Sequence, residues 1–140
     1  MNIAVDQNPI RVATEDDIER WLPVARIRYP GRDINAGIPW VRWCMQRPDR
    51  LALTGLHSCG IAEIVPRYGF EPRAVLSLLL SDGHAGFEPL RIVRQMVVWA
   101  KVKGVSGHFI IDADTGVDFG PLARRMGGGP ADIKRYKIPL

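Results

Sequence analysis

Apolar and polar residues alternate in Ile10-Arg11-Val12-Ala13, the period of a half-buried strand, and Thr14 follows with the side chain of a helix N-cap. The helix predicted from there carries Glu15, Asp16, Asp17 and Glu19 at its start and Arg26 and Arg28 at its end. Both poles therefore complement the helix dipole, and Ile18, Trp21, Leu22 and Ala25 form the apolar stripe. Pro23 falls inside this helix, where a missing N–H is expected to kink or split it. Pro30-Gly31 closes the segment. Pro39 opens a second helix through Trp40, Val41, Cys44 and Met45 that stops before Pro48.

From Arg50 the period changes. Leu51 and Leu53, then Ile61, Ile64 and Val65, make two short runs separated by Gly55 to Gly60, as in an antiparallel hairpin. Ala74 to Leu80 is nearly continuous and predicts a strand covered on both faces, at the centre of the sheet. Ser81 to Phe87 is a loop, Pro89 starts the strongest helix, which runs to about Lys103, and Gly104 ends it. His108 to Ile111 is the next strand and Phe119 to Met126 a short helix stopped by Gly127-Gly128-Gly129-Pro130. Ile133 to Ile138 alternates as a final strand.

With 140 residues, 46% of them hydrophobic and 24% charged, the chain reads as one domain spanning 1–140 of mixed α and β structure, not as a disordered polymer. It has no apolar run long enough for a bilayer and no basic-then-apolar leader, so a soluble, cytoplasmic protein without a membrane partner is expected. Cys44 and Cys59 cannot make a disulfide framework and read as reduced, buried residues. A net charge of +4 without a clustered patch gives no nucleic-acid signal. Fifteen of the 19 basic residues are arginine, the cation suited to interfaces.

The order β-α-α-β-β-β-α-β-α-β resembles the GNAT superfamily of acyl-CoA N-acyltransferases over nearly the whole chain. Leu90 to Val105 followed by His108 to Ile111 resembles that family's long amphipathic helix and the strand that splays from its neighbour. Leu122-Ala123-Arg124-Arg125-Met126-Gly127 resembles the helix and glycine before its last hairpin. The compact layout is most similar to GNAT-type proteins encoded by bacteriophages. The resemblance implies a three-layer GNAT-like fold and three pieces of machinery.

The first is a pyrophosphate loop of pattern R/Q-x-x-G-x-G/A at the start of the long helix. Here it reads Gly83-His84-Ala85-Gly86-Phe87-Glu88-Pro89, with Gly83 in the basic position and Glu88 in the second small one. A carboxylate at a helix entrance is expected to repel a diphosphate and to occupy the free donors itself, and proline removes one donor. The second is a general base, for which Asp82 and Glu63 are the nearest carboxylates. The third is a tyrosine that reprotonates the departing thiolate. Its position falls at Ala123, in a helix without tyrosine.

Other constellations are weaker. Asp114-Thr115-Gly116 is similar to an aspartic-protease loop, but too little chain follows it for that fold. Asp112 and Asp114 alone make a poor cation site. His57, Cys59 and His108 lack the spacing of a zinc site, so no metal is assigned. His84 lies in the loop, within reach of a phosphate or a proton. Trp40, Arg42 and Trp43, together with Trp99 on the all-round apolar long helix, form the candidate interface for a protein partner or a second copy.

Two readings follow. In the first, the GNAT-like protein has lapsed acyltransferase motifs, requires no cofactor and serves as a binding or structural assembly component, in a bacteriophage particle. In the alternative it is an acetyl-CoA-dependent N-acetyltransferase acting on an amine. Backbone donors near Leu80 and Ser81 would then hold the thioester carbonyl, and Gly83, His84, Gly86 and Phe87 the CoA diphosphate.

Overall fold

Thr14 and Asp17 set the start of the first helix: the Asp17 carboxylate accepts the Thr14 N–H at 2.7 Å, and Arg26 and Arg28 close the far end. The computed structural model describes residues 9–111, 118–131 and 136–140. Its elements are β1 (Arg11–Val12), α1 (Glu15–Arg28), a 3₁₀ turn (Ile34–Gly37), α2 (Ile38–Met45), β2 (Arg50–Thr54), β3 (Ser58–Arg67), β4 (Phe70–Ser81), α3 (Glu88–Val102), β5 (Phe109–Ile111) and α4 (Gly120–Arg125). Pro23 does not split α1. The missing hydrogen bond is one of many in a helix anchored at both ends. The final strand expected at 133–138 falls partly outside the described residues, and 136–138 carry no strand. Asp112 and Asp114 also lie outside them.

The sheet order is β1-β2-β3-β4-β5, antiparallel except for the parallel pair β4–β5. The middle strand is therefore β3, not the apolar run of β4. That run is covered on both faces, but its outer neighbour is only three residues long. β1 is shorter and more exposed than its alternation predicts. Ile61 pairs with Leu78 and Ala62 with Leu76, so Ser77 is an extra residue that bulges β4. β5 pairs only with Ala74 to Leu76. Beyond the bulge, among the described residues, β4 has no neighbour on that side.

Strand alternation sends Leu53, Ala62 and Leu76 to one face, where Ile92, Val93 and Met96 of α3 pack on them. Burying each of those three helix side chains contributes about 1.5–3 kcal/mol. Gly60 lets α3 come close, since a Cβ there would stand 3.0 Å from the Leu78 carbonyl and 3.1 Å from Met96 Cε. On the opposite face Ala52 and Ile61 meet Cys44 of α2. Of the expected α1 stripe only Trp21 is buried, together with Asp17; Ile18, Leu22 and Ala25 line a cavity instead.

Candidate functional site

The loop between β4 and α3 is shaped by its own short side chains. Ser81 Oγ accepts the Gly83 N–H at 3.2 Å and Asp82 Oδ1 the His84 N–H at 2.8 Å, while Gly83 and Gly86 take positive φ angles of 93° and 53°. The N–H groups of Ala85, Gly86 and Phe87 have no hydrogen-bond partner among the described residues. Three consecutive donors ahead of a helix N-terminus are the geometry that holds an anion.

The expectation that Glu88 would occupy those donors is not met. Its carboxylate is buried and turned into the β2–β3 turn, where Oε1 accepts the His57 N–H at 2.8 Å, the Ser58 N–H at 2.7 Å and the Ser58 hydroxyl at 2.7 Å. The hairpin supplies fixed donors at the depth where Glu88 emerges from the helix, and charge-assisted bonds to them outcompete solvent at the helix mouth. Gly55 makes room for it: a Cβ there would lie 2.3 Å from the Glu88 Cδ. Arg125 of α4 stacks on Phe87, its Cζ 5.2 Å from the ring centroid, and so brings a guanidinium beside the loop that lacks a basic residue at Gly83.

The open edge of β4 supplies further donors. Asp82 N–H donates to the His57 carbonyl at 3.0 Å, so by the two-residue alternation of a strand the N–H groups of Leu79 and Ser81 face away from β3. These flank Leu80, which sequence reasoning paired with Ser81.

Next to Ser81, Asp82 Oδ2 lies 2.8 Å from His57 Nδ1, and the His84 ring meets the His57 ring edge-on at 6.2 Å. Burial alone would raise the Asp82 carboxyl. The hydrogen bonds from His57 and the His84 N–H, with two nearby imidazoles, outweigh it and hold the group below its usual range. An ionised carboxylate only accepts, so the Nδ1–H is the donor of this bond, and in the neutral imidazole the lone pair then lies on Nε2, the arrangement of a general base oriented by an acid. The sequence shows His57 only as a loop histidine without the spacing of a zinc site. Its pairing with a residue 25 positions away has no local signal. Among the described residues no cluster of His, Cys, Asp and Glu is suited to a metal.

Glu63 stands elsewhere, in a closed set of partners. Arg50 Nε donates to it at 2.9 Å, the Ser77 hydroxyl at the bulge donates to its other oxygen, and Arg50 stacks on Trp43 at 4.2 Å. Both carboxylate oxygens are thus already engaged, and neither His57 nor the β4–α3 loop is among the partners. The interface residues are not brought together. Arg42 pairs with Glu15 at 2.6 Å and Trp43 is clasped by Arg47 and Arg50, all on the α2 side, whereas Trp99 packs on the α3 core across the sheet. Trp40 lines the cavity of about 260 Å³ between α1, α2 and the sheet. Both cysteines are free. Burial pushes the Cys44 thiol up to about 11 and the Cys59 thiol to about 12, so neither is a nucleophile.

No protein-family model matches the sequence, and no curated protein sequence does either. Solved structures do. Aminoglycoside 6'-N-acetyltransferase AAC(6')-Ig from Acinetobacter haemolyticus superposes with a TM-score of 0.72 at 19% identity, over 94% of this chain and 98% of that one. The chain has a GNAT-like fold. Aminoglycoside N-acetyltransferase AAC(6')-Iy in complex with CoA matches at 0.74 and 12% identity, over 94% of this chain and 93% of that one. A protein described as a transcriptional regulator from Bacillus halodurans matches at 0.73 and 15%, over 95% of this chain and 99% of that one, so the shared fold does not by itself fix the chemistry. No helix among the described residues is long and apolar enough to cross a membrane.

Proposed function

We propose that this protein is an acyl-CoA-dependent N-acyltransferase. The observation that carries the reading is the inward turn of Glu88: its charge is spent on His57 and Ser58, and the Ala85, Gly86 and Phe87 donors are left for a diphosphate. Arg125 adds a cation there. The N–H groups of Leu79 and Ser81 suit a thioester oxygen, whose developing negative charge they stabilise. His57 Nε2 takes the proton of the attacking amine while Asp82 holds the ring. The nitrogen bonds to the acyl carbon, the carbon–sulfur bond breaks, and the thiolate leaves as CoA. The CoA-bound neighbour supports a CoA site in this fold.

Calorimetric titration with acetyl-CoA and CoA tests the proposal, with saturable micromolar binding expected. A second reading, an assembly component of a bacteriophage particle with lapsed chemistry, has one feature in its favour: α4 carries no tyrosine, and Ala123 falls at the position where the resemblance implies the thiol-protonating one. Absence of CoA binding together with a stoichiometric co-purifying partner would replace the first reading by the second.

A further inference from the structure

The cavity between α1, α2 and the sheet has a wall almost entirely of carbon. Ile18, Leu22 and Ala25 of α1 and Val41 of α2 face Leu78 and Leu80 of β4 across about 260 Å³, although these are the side chains expected to close a core. Helices closed onto a sheet at native density would leave no space of this size between them. An apolar cavity of ~150 Å³ admits benzene, so this one has room for roughly eight carbons or a bicyclic ring. The polar groups of its buried wall residues are already committed. Asp17, the buried carboxylate of the wall, is held by Arg11 through two bonds of 2.7 Å, and Trp21 Nε1 donates to Thr54 Oγ1 at 3.0 Å. No buried charge is left there for a polycationic amine. Leu78 and Leu80 belong to the stretch of β4 past the bulge, so the cavity's back wall is the strand whose open edge carries the Leu79 and Ser81 donors.

We infer that this cavity is a substrate subsite for an aliphatic or aromatic group of about six to ten carbons, carried by one of the two reactants. Assigning the group to a reactant rests on the acyltransfer reading, whereas the cavity's selectivity for carbon does not. The acyl chain of an acyl-CoA and the side chain of an amine acceptor share this chemistry.

The test titrates intact protein with 1-octanol, and in parallel with octanoyl-CoA, acetyl-CoA, octylamine and ethylamine. Saturable octanol binding is expected, weakened at least tenfold in Ala25→Phe, which fills the void from α1 while keeping or raising the melting temperature. Leu22→Trp, placed on the same wall, should act alike if Ala25→Phe misfolds. Octanoyl-CoA binding at least tenfold tighter than acetyl-CoA assigns the cavity to the acyl chain, and octylamine binding at least tenfold tighter than ethylamine assigns it to the acceptor. Octanol binding without any CoA binding leaves the subsite standing and removes the acyltransferase. Absence of octanol binding, or binding unchanged in a folded filled variant, overturns the inference.

Discussion

Replacing Glu88 separates the two roles that a carboxylate at this position can play. Its Oε1 accepts from the His57 N–H, the Ser58 N–H and the Ser58 hydroxyl, and Glu88 is only 5% exposed. Glu88→Ala strands those donors. At about 1–3 kcal/mol for each unsatisfied buried group, reduced because water can enter the space vacated, the loss of folding stability should be about 3–5 kcal/mol. Glu88→Gln keeps an acceptor oxygen but loses the charge assistance, which costs about 1–2 kcal/mol. Urea unfolding with both variants measures this. The same proteins titrated with CoA test the electrostatics. Had the carboxylate stood at the mouth of α3, ~5 Å from a diphosphate, neutralising it would remove roughly 3 kcal/mol of repulsion and tighten binding over a hundredfold. With the charge turned away and satisfied, CoA affinity of Glu88→Gln should change by less than about threefold. A stability loss under about 1 kcal/mol in Glu88→Ala, or a tens-fold gain in CoA affinity in Glu88→Gln, would refute the reasoning.

Gly55→Ala should destabilise the protein by about 1–3 kcal/mol in the same unfolding assay, because the new methyl would stand 2.3 Å from the Glu88 Cδ. The hydrogen bonds from Arg11 hold the Asp17 carboxyl at about 2, below the usual 3.8. A depressed folded-state value stabilises above the unfolded value, so this contribution is intact above about pH 4 and lost as pH falls toward 2. Asp17→Asn should therefore cost about 1–2 kcal/mol at neutral pH and flatten the acid limb of stability measured by circular dichroism. Arg125→Ala should weaken CoA binding about three- to tenfold by calorimetry and leave folding nearly unchanged. With an amine acceptor in hand, His57→Ala should lower turnover by about 10²-fold or more in a thiol-release assay while acetyl-CoA binding stays within about threefold, and Asp82→Asn should act in the same direction, less strongly.

The order of elements was legible because each rests on local chemistry: the Thr14 cap, the alternation in Leu51 to Leu53, Pro89 inside the first turn of α3 and Gly104 after its end. Position in the sheet was not. The apolar run of β4 reads as central because it is covered on both faces, yet its outer neighbour β5 pairs with it over only three residues. At the site, the loop and Asp82 were legible from glycines and charge. The direction of Glu88 was not, because its donors come from His57 and Ser58, 31 and 30 residues earlier. Separation along the chain likewise hides the His57–Asp82 pair and the Arg125–Phe87 stack. The cavity was hidden for a different reason: a stripe that lines a void and a stripe that fills a core have the same period.

Amide spectra recorded while acetyl-CoA is added test the central claim most directly, since they report which backbone donors the ligand engages. The account predicts saturable shifts concentrated at Leu79, Ser81, Ala85, Gly86 and Phe87, with His57 and Ser58 N–H little moved because Glu88 already holds them. A spectrum unchanged at millimolar acetyl-CoA, or shifts confined to residues remote from the β4–α3 loop, would contradict it.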